Sequence, residues 1–235
     1  MKWKKAVFIL FVTLLVLSIG SLNVFAMNTG FSTSEMSTKD QQTFLSNIRL
    51  SALSNEPQKG AIACFDVRES GLIAVGTAVA ENKYLLVYNA AGEFQYGYSF
   101  QCNQSFGIQW DNENIMIYFV RSDVAASFCP DGTPAELKRI ENTVENNSYW
   151  DHFVFAEEKT VGNNRYILNN RGLLNVFASS YSQLLRIDQN GTETLIYDVS
   201  KAQTAKAVLI MAAVLIFVAV VVAGIVRQFY KIKRL

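Results

Sequence analysis

Leu86-Val87-Tyr88-Asn89-Ala90-Ala91-Gly92-Glu93-Phe94-Gln95-Tyr96-Gly97-Tyr98-Ser99-Phe100 alternates in polarity, breaks at a turn ending in glycine, and alternates again. Period-two alternation interrupted by turn residues predicts half-buried antiparallel strands. The same layout returns twice. Ala126 and Phe128 lead into Cys129-Pro130-Asp131-Gly132, and Leu185 and Ile187 lead into Asp188-Gln189-Asn190-Gly191. A further strand follows each turn, as over residues 94–100 and 192–199.

Earlier in each unit a second alignment is visible, on Gly71, Asn114 and Gly172. Alternating pairs precede it: Phe65 with Val67, Ile108 with Trp110, and Tyr166 with Leu168. Apolar runs follow it: Leu72-Ile73-Ala74-Val75, Ile115-Met116-Ile117-Tyr118 and Leu173-Leu174-Asn175-Val176. Each unit therefore predicts four short strands in about 40 residues, and the fold class is an all-β domain of three four-stranded repeats over residues 61–199.

This pattern resembles the blades of a β-propeller. The resemblance rests on strand and turn spacing alone. Trp110-Asp111 and Trp150-Asp151 fall elsewhere in their units than the dipeptide that marks Trp-Asp repeats. Propellers close with four to eight blades, so three units leave three solutions. Residues 47–54 supply a strand that clips onto the last unit, the extra residues before the third unit build part of a fourth, or the units stack into an open, twisted β-structure.

The flanks of this domain set its location. All twenty acidic residues lie between Glu35 and Asp198, and both ends carry only basic charge. Lys2, Lys4 and Lys5 precede an apolar run over residues 6–19. Arg227, Lys231, Lys233 and Arg234 follow an uncharged run over residues 207–226. Twenty apolar residues span roughly 30 Å as a helix, the thickness of a bilayer core. Cytoplasmic flanks of membrane segments are enriched in Lys and Arg, so both tips read as cytoplasmic and the domain between them as exported.

Residues 1–26 have the basic, apolar and small-residue parts of a secretory signal, with Val24-Phe25-Ala26 as the cleavage box. The rival reading is an uncleaved anchor over residues 6–26. Residues 27–60 read as a spacer plus a candidate closing strand, with residues 28–39 Ser/Thr-rich, and residues 227–235 as a basic cytoplasmic tail that can rest on anionic lipid. The expected location is the cell membrane, single-pass after signal cleavage.

Between residues 27 and 205 thirteen Lys and Arg face twenty Asp and Glu. An acidic exported surface repels phosphate polymers, which argues against nucleic acid as a partner. His152 is the single histidine, and Asp151 beside it in sequence is badly placed to orient its ring for a Ser-His-Asp mechanism. Cys64, Cys102 and Cys129 fit no metal framework and leave at least one thiol unpaired. No cofactor or metal is expected. Asp111-Asn112-Glu113-Asn114 lacks the glycine and distal glutamate of a calcium loop. Asn103, Asn146 and Asn190 head Asn-x-Ser/Thr sequons.

The join before the third unit carries about fifteen residues more than the first, counted on the Gly71, Asn114 and Gly172 alignment. It includes residues 142–152, rich in asparagine and aromatic groups. Insertions in repeat proteins gather on one face, often the binding face. Tyr149 and Trp150 are candidates to stack on a sugar or peptide, with Asn147 and Asp151 to hydrogen-bond it. The alternative is that Trp150 and Phe153 fill a core gap.

The leading functional expectation is a membrane-tethered binding module for a peptide, a glycan or another envelope protein, with no enzymatic activity. A hydrolase using paired carboxylates from neighbouring units, with Asp66, Glu69, Asp111, Glu113 and Asp123 near the strands, and a structural subunit of an envelope complex are the alternatives.

Overall fold

A computed structural model describes residues 27–79, 82–171 and 180–232. The chain is mostly β-sheet and ends in a long apolar helix. Three four-stranded meanders are present among the described residues. The first comprises β3 (Ala61–Val67), β4 (Ile73–Val79), β5 (Asn82–Tyr88) and β6 (Phe94–Gln101). The second comprises β7 (Phe106–Asp111), β8 (Asn114–Phe119), β9 (Val124–Phe128) and β10 (Pro134–Ile140). The third comprises β11 (Glu158–Val161), β12 (Asn164–Arg171), β13 (Tyr181–Ile187) and β14 (Glu193–Asp198).

The turn that closes each meander is built the same way three times. Gly92 N–H donates to Asn89 O at 3.0 Å, Gly132 to Cys129 at 2.8 Å, and Gly191 to Asp188 at 3.0 Å. The three glycines have φ of 81°, 87° and 80°, a left-handed conformation that costs L-residues roughly 1–2 kcal/mol. Asn89 and Asp188 also accept two backbone N–H bonds each through Oδ1, which explains their type at that position. Cys129 cannot do this, and Asp131 takes over by accepting from Thr133.

The first meander packs against the second on one face and against the third on the other. Its strands alternate apolar side chains to both sides. Leu85 and Val87 enter a core shared with Ile108, Ile117 and Phe119 of the second meander. Leu86 and Tyr88 enter one shared with Tyr166, Leu184 and Tyr197 of the third. Both faces of a middle layer must exclude water, and this is why β4 and β5 read as nearly unbroken apolar runs.

The assembly differs from separate propeller blades. Tyr181 on β13 pairs with Ile62 on β3, so the first and third meanders share one curled sheet, ordered β11-β12-β13-β3-β4-β5-β6 and ending in the short strand β2 (Ser51–Leu53), with β14 on β13. The third unit is also framed one strand earlier than Gly172 implied. Its first hairpin turns at Gly162, φ 58°, the counterpart of Asn112 at φ 54°. Tyr166 and Leu168 therefore lie on a second strand rather than a first. Alternation alone cannot tell one hairpin strand from the next. The run expected at Leu173-Leu174-Asn175-Val176 falls outside the described residues.

Residues 28–39 are built into the fold instead of forming a spacer. β1 (Thr33–Glu35) pairs with β10, Phe31 and Met36 are buried, and helix α1 (Thr38–Ile48) follows, capped by Ser37. The closing strand is β2 (Ser51–Leu53), and it pairs with β6 of the first meander, not with the last. At the other end helix α3 runs over Ser200–Ile232 and is long and apolar enough to cross a membrane.

Candidate functional site

The insertion between the second and third meanders folds as a short helix, α2 (Val144–Tyr149), continued by a π-helical turn over Trp150–Val154. It lies on the outer face of the second meander. Tyr149 and Trp150 are half-buried, each with its ring centroid 4.6 Å from that of Phe31. Trp150 also meets Tyr118 edge-on at 5.7 Å. Tyr149 and Tyr118 donate their hydroxyls to Gln109 Oε1, at 3.0 and 2.7 Å. Together with Met27, Met116, Ala125 and Val154 these rings form a third core.

Asn146 pins this cover down. It is buried, accepts from Ser32 N–H at 2.9 Å, and donates to Ser32 O and Glu141 O at 3.0 and 2.6 Å. Of the four residues read as a binding set, Tyr149 and Trp150 thus contribute to packing, while Asn147 and Asp151 are exposed. His152 is exposed too, with Nδ1 2.9 Å from Ser148 O. The turn at Asn112 leaves Glu113 forked against Arg68, a linkage between two hairpin ends.

A concavity lies where all three meanders meet. A cavity of about 940 Å³ is lined by Ala61, Ala63 and Ala78 of the first, Phe106 and Val120 of the second, and Leu168 and Tyr181 of the third. Lys83, Gln104, Arg121, Asp151 and Glu157 add polar groups, so the insertion does supply one of its predicted residues, Asp151, to this wall. Its volume is within the range of ligand pockets. Sequence reasoning missed Lys83, Gln104, Arg121 and Tyr181 because they come from four separate segments with no shared spacing.

Cys64 lines the same cavity as a buried thiol. Burial pushes its pKa up to about 12, so the thiolate that nucleophilic or metal chemistry needs is absent near neutrality. Asp66, the carboxylate nearest this point on β3, accepts the Trp110 backbone N–H at 2.7 Å and pairs with Lys159 at 2.8 Å. Asp111 accepts the Asn28 backbone N–H at 3.1 Å. Both buried acids are thus engaged in joining segments. Among the described residues no three His, Cys, Asp or Glu side chains gather as a metal site.

The start of the apolar helix α3 is next to the cavity. Val199 N–H donates to Ser182 O at 2.8 Å, one residue from Tyr181 in the cavity wall, and α3 starts at Ser200. No protein-family model matches this chain, and neither does any curated protein or solved structure.

Proposed function

We propose that this chain is a single-span, membrane-tethered binding module, with residues 27–205 outside the membrane, residues 1–26 removed as a signal, and the basic tail inside. The charge asymmetry of the sequence supports this orientation. Its ligand surface is the cavity at the junction of the meanders. The observation that carries this reading is the placement of a pocket of ligand size beside the root of the membrane helix. A site there meets segments of envelope or membrane proteins that lie near the bilayer.

The wall combines Lys83 and Arg121 with Asp151 and Glu157 above an Ala, Phe and Leu floor. Both signs of charge on an apolar base suit a peptide segment better than a uniformly anionic polymer. The test is recovery of partners from detergent extract with the full-length chain and with a Lys83→Glu, Arg121→Glu variant. Loss of a partner with the β signal in circular dichroism retained supports the cavity, and an unchanged partner set removes it.

A second reading, a subunit docked within a larger complex, is favoured by the outer edge of the insertion. Val144 and Phe153 are 80% and 58% exposed, and Phe153 stacks on Tyr149 at 4.8 Å. Phe153→Ser should then release a partner that the cavity variant keeps.

A further inference from the structure

We infer that Met27 is the amino terminus of the mature protein and that its newly formed α-ammonium is held by the Glu136 carboxylate as part of the fold. This rests on the reading above that residues 1–26 are a removable signal, and adds what removal does to the domain.

Met27 and the residues that follow it are bonded into the structure. Met27 has its side chain buried, and its backbone nitrogen donates to Glu136 Oε2. Asn28 N–H donates to Asp111 Oδ2 at 3.1 Å, Thr29 Oγ1 meets Tyr118 OH at 2.9 Å, and Ser32 is held by Asn146. Val24 and Ala26 place small side chains three and one residues before Met27, as a signal-processing peptidase needs. Hydrolysis of the Ala26–Met27 peptide bond by water leaves a carboxylate on Ala26 and an ammonium on Met27.

The charges around Met27 favour that product. Glu136 on β10 meets the Met27 nitrogen and Asp111 on β7 meets that of Asn28, while Lys138 on β10 pairs with Glu136. Lys138 Nζ lies 3.0 Å from Glu136 and 3.9 Å from Glu35. An intact amide at Met27 gives this group a neutral donor. An α-ammonium gives a positive one, and a charge-assisted hydrogen bond is roughly twice as strong as a neutral pair.

The test uses the full chain purified from membranes. Mass spectrometry of the N-terminal peptide is expected to find Met27 first. Its amine should react with an acylating reagent near neutral pH about tenfold more slowly in the folded protein than after denaturation, as for a pKa raised by one unit. Glu136→Gln should remove most of that protection, and the wild-type ratio decides the matter if this variant does not fold. A chain beginning at Met1 overturns the signal reading and the inference with it. A chain beginning at Met27 whose amine reacts equally fast folded and unfolded overturns the ion pair alone.

Discussion

Lys159 Nζ lies 2.8 Å from Asp66 Oδ1, with side-chain exposures of only 15% and 12%. The other oxygen of Asp66 accepts the Trp110 N–H, so one carboxylate on β3 ties the second and third meanders to the first. Removing one partner of a buried pair strands the other's charge and costs on the order of 3–5 kcal/mol. Asp66→Ala should lower the denaturant midpoint accordingly. Glu113→Ala, which breaks an exposed ion pair with Arg68, should leave it nearly unchanged. Equal midpoints for the two variants would refute this role for Asp66.

The repeated glycine turns are not equivalent in their surroundings. A Cβ on Gly191 meets nothing within 4 Å, whereas one on Gly92 sits 3.0 Å from the Ile196 carbonyl oxygen. Gly191→Ala should cost the left-handed conformation alone, about 1–2 kcal/mol, and Gly92→Ala visibly more. Thermal melts that rank them the other way would contradict the packing of β14 over the first meander.

Phe31 is in ring contact with Tyr118, Tyr149 and Trp150. Phe31→Ala should cost about 3–5 kcal/mol, as for other buried aromatic truncations. The double change of Tyr149 and Trp150 to Ala should damage the same core. Phe153→Ala, at an exposed position, should melt close to the parent, and a melt as low as that of Phe31→Ala would place Phe153 in the core instead.

Thiol labelling reads the interior directly. At pH 8 in the folded protein Cys129, partly exposed, should label, while Cys64, with its pKa pushed up to about 12 by burial, stays silent until the chain is unfolded. Rapid native labelling of Cys64 would mean that the cavity wall opens.

Acid should weaken the turns. Backbone N–H bonds from Thr192 and Asn190 hold the Asp188 carboxyl below its ordinary value, and Ser200 does the same for Asp198. A lowered folded-state pKa contributes stability that is fully present above the ordinary carboxylate range and is lost as pH falls through the lowered value. Asp188→Asn keeps an acceptor and removes the titration. It should flatten the acid limb of the melting profile, and an unaltered limb would exclude Asp188 as a contributor.

The meanders were legible because each closing turn needs a glycine at positive φ, and Gly92, Gly132 and Gly191 stand out in sequence. The N-terminal arm was not, because Ser and Thr around Phe31 and Met36 mask apolar residues that bury singly. The role of Tyr149 and Trp150 was hidden for a related reason. Ile115-Met116-Ile117-Tyr118 is apolar on both faces, a sign that something must cover β8 from outside, yet nothing local says that residues 27–36 and 144–154 do so jointly. The cavity was illegible in principle, since only the stacking of three meanders brings Lys83, Arg121 and Tyr181 together.

The pairing of Ser32 with Asn146 joins residues 114 positions apart. At 5–20 residues per second of synthesis, the arm waits on the order of 10 s for its counterpart. Throughout that interval Phe31 and the outer face of β8 remain uncovered, which makes this the period when the nascent chain is most open to mispairing or chaperone capture. The core around Phe31 can therefore close only after residues 144–154 have been made, although its first members, Met27 and Phe31, come more than a hundred residues earlier.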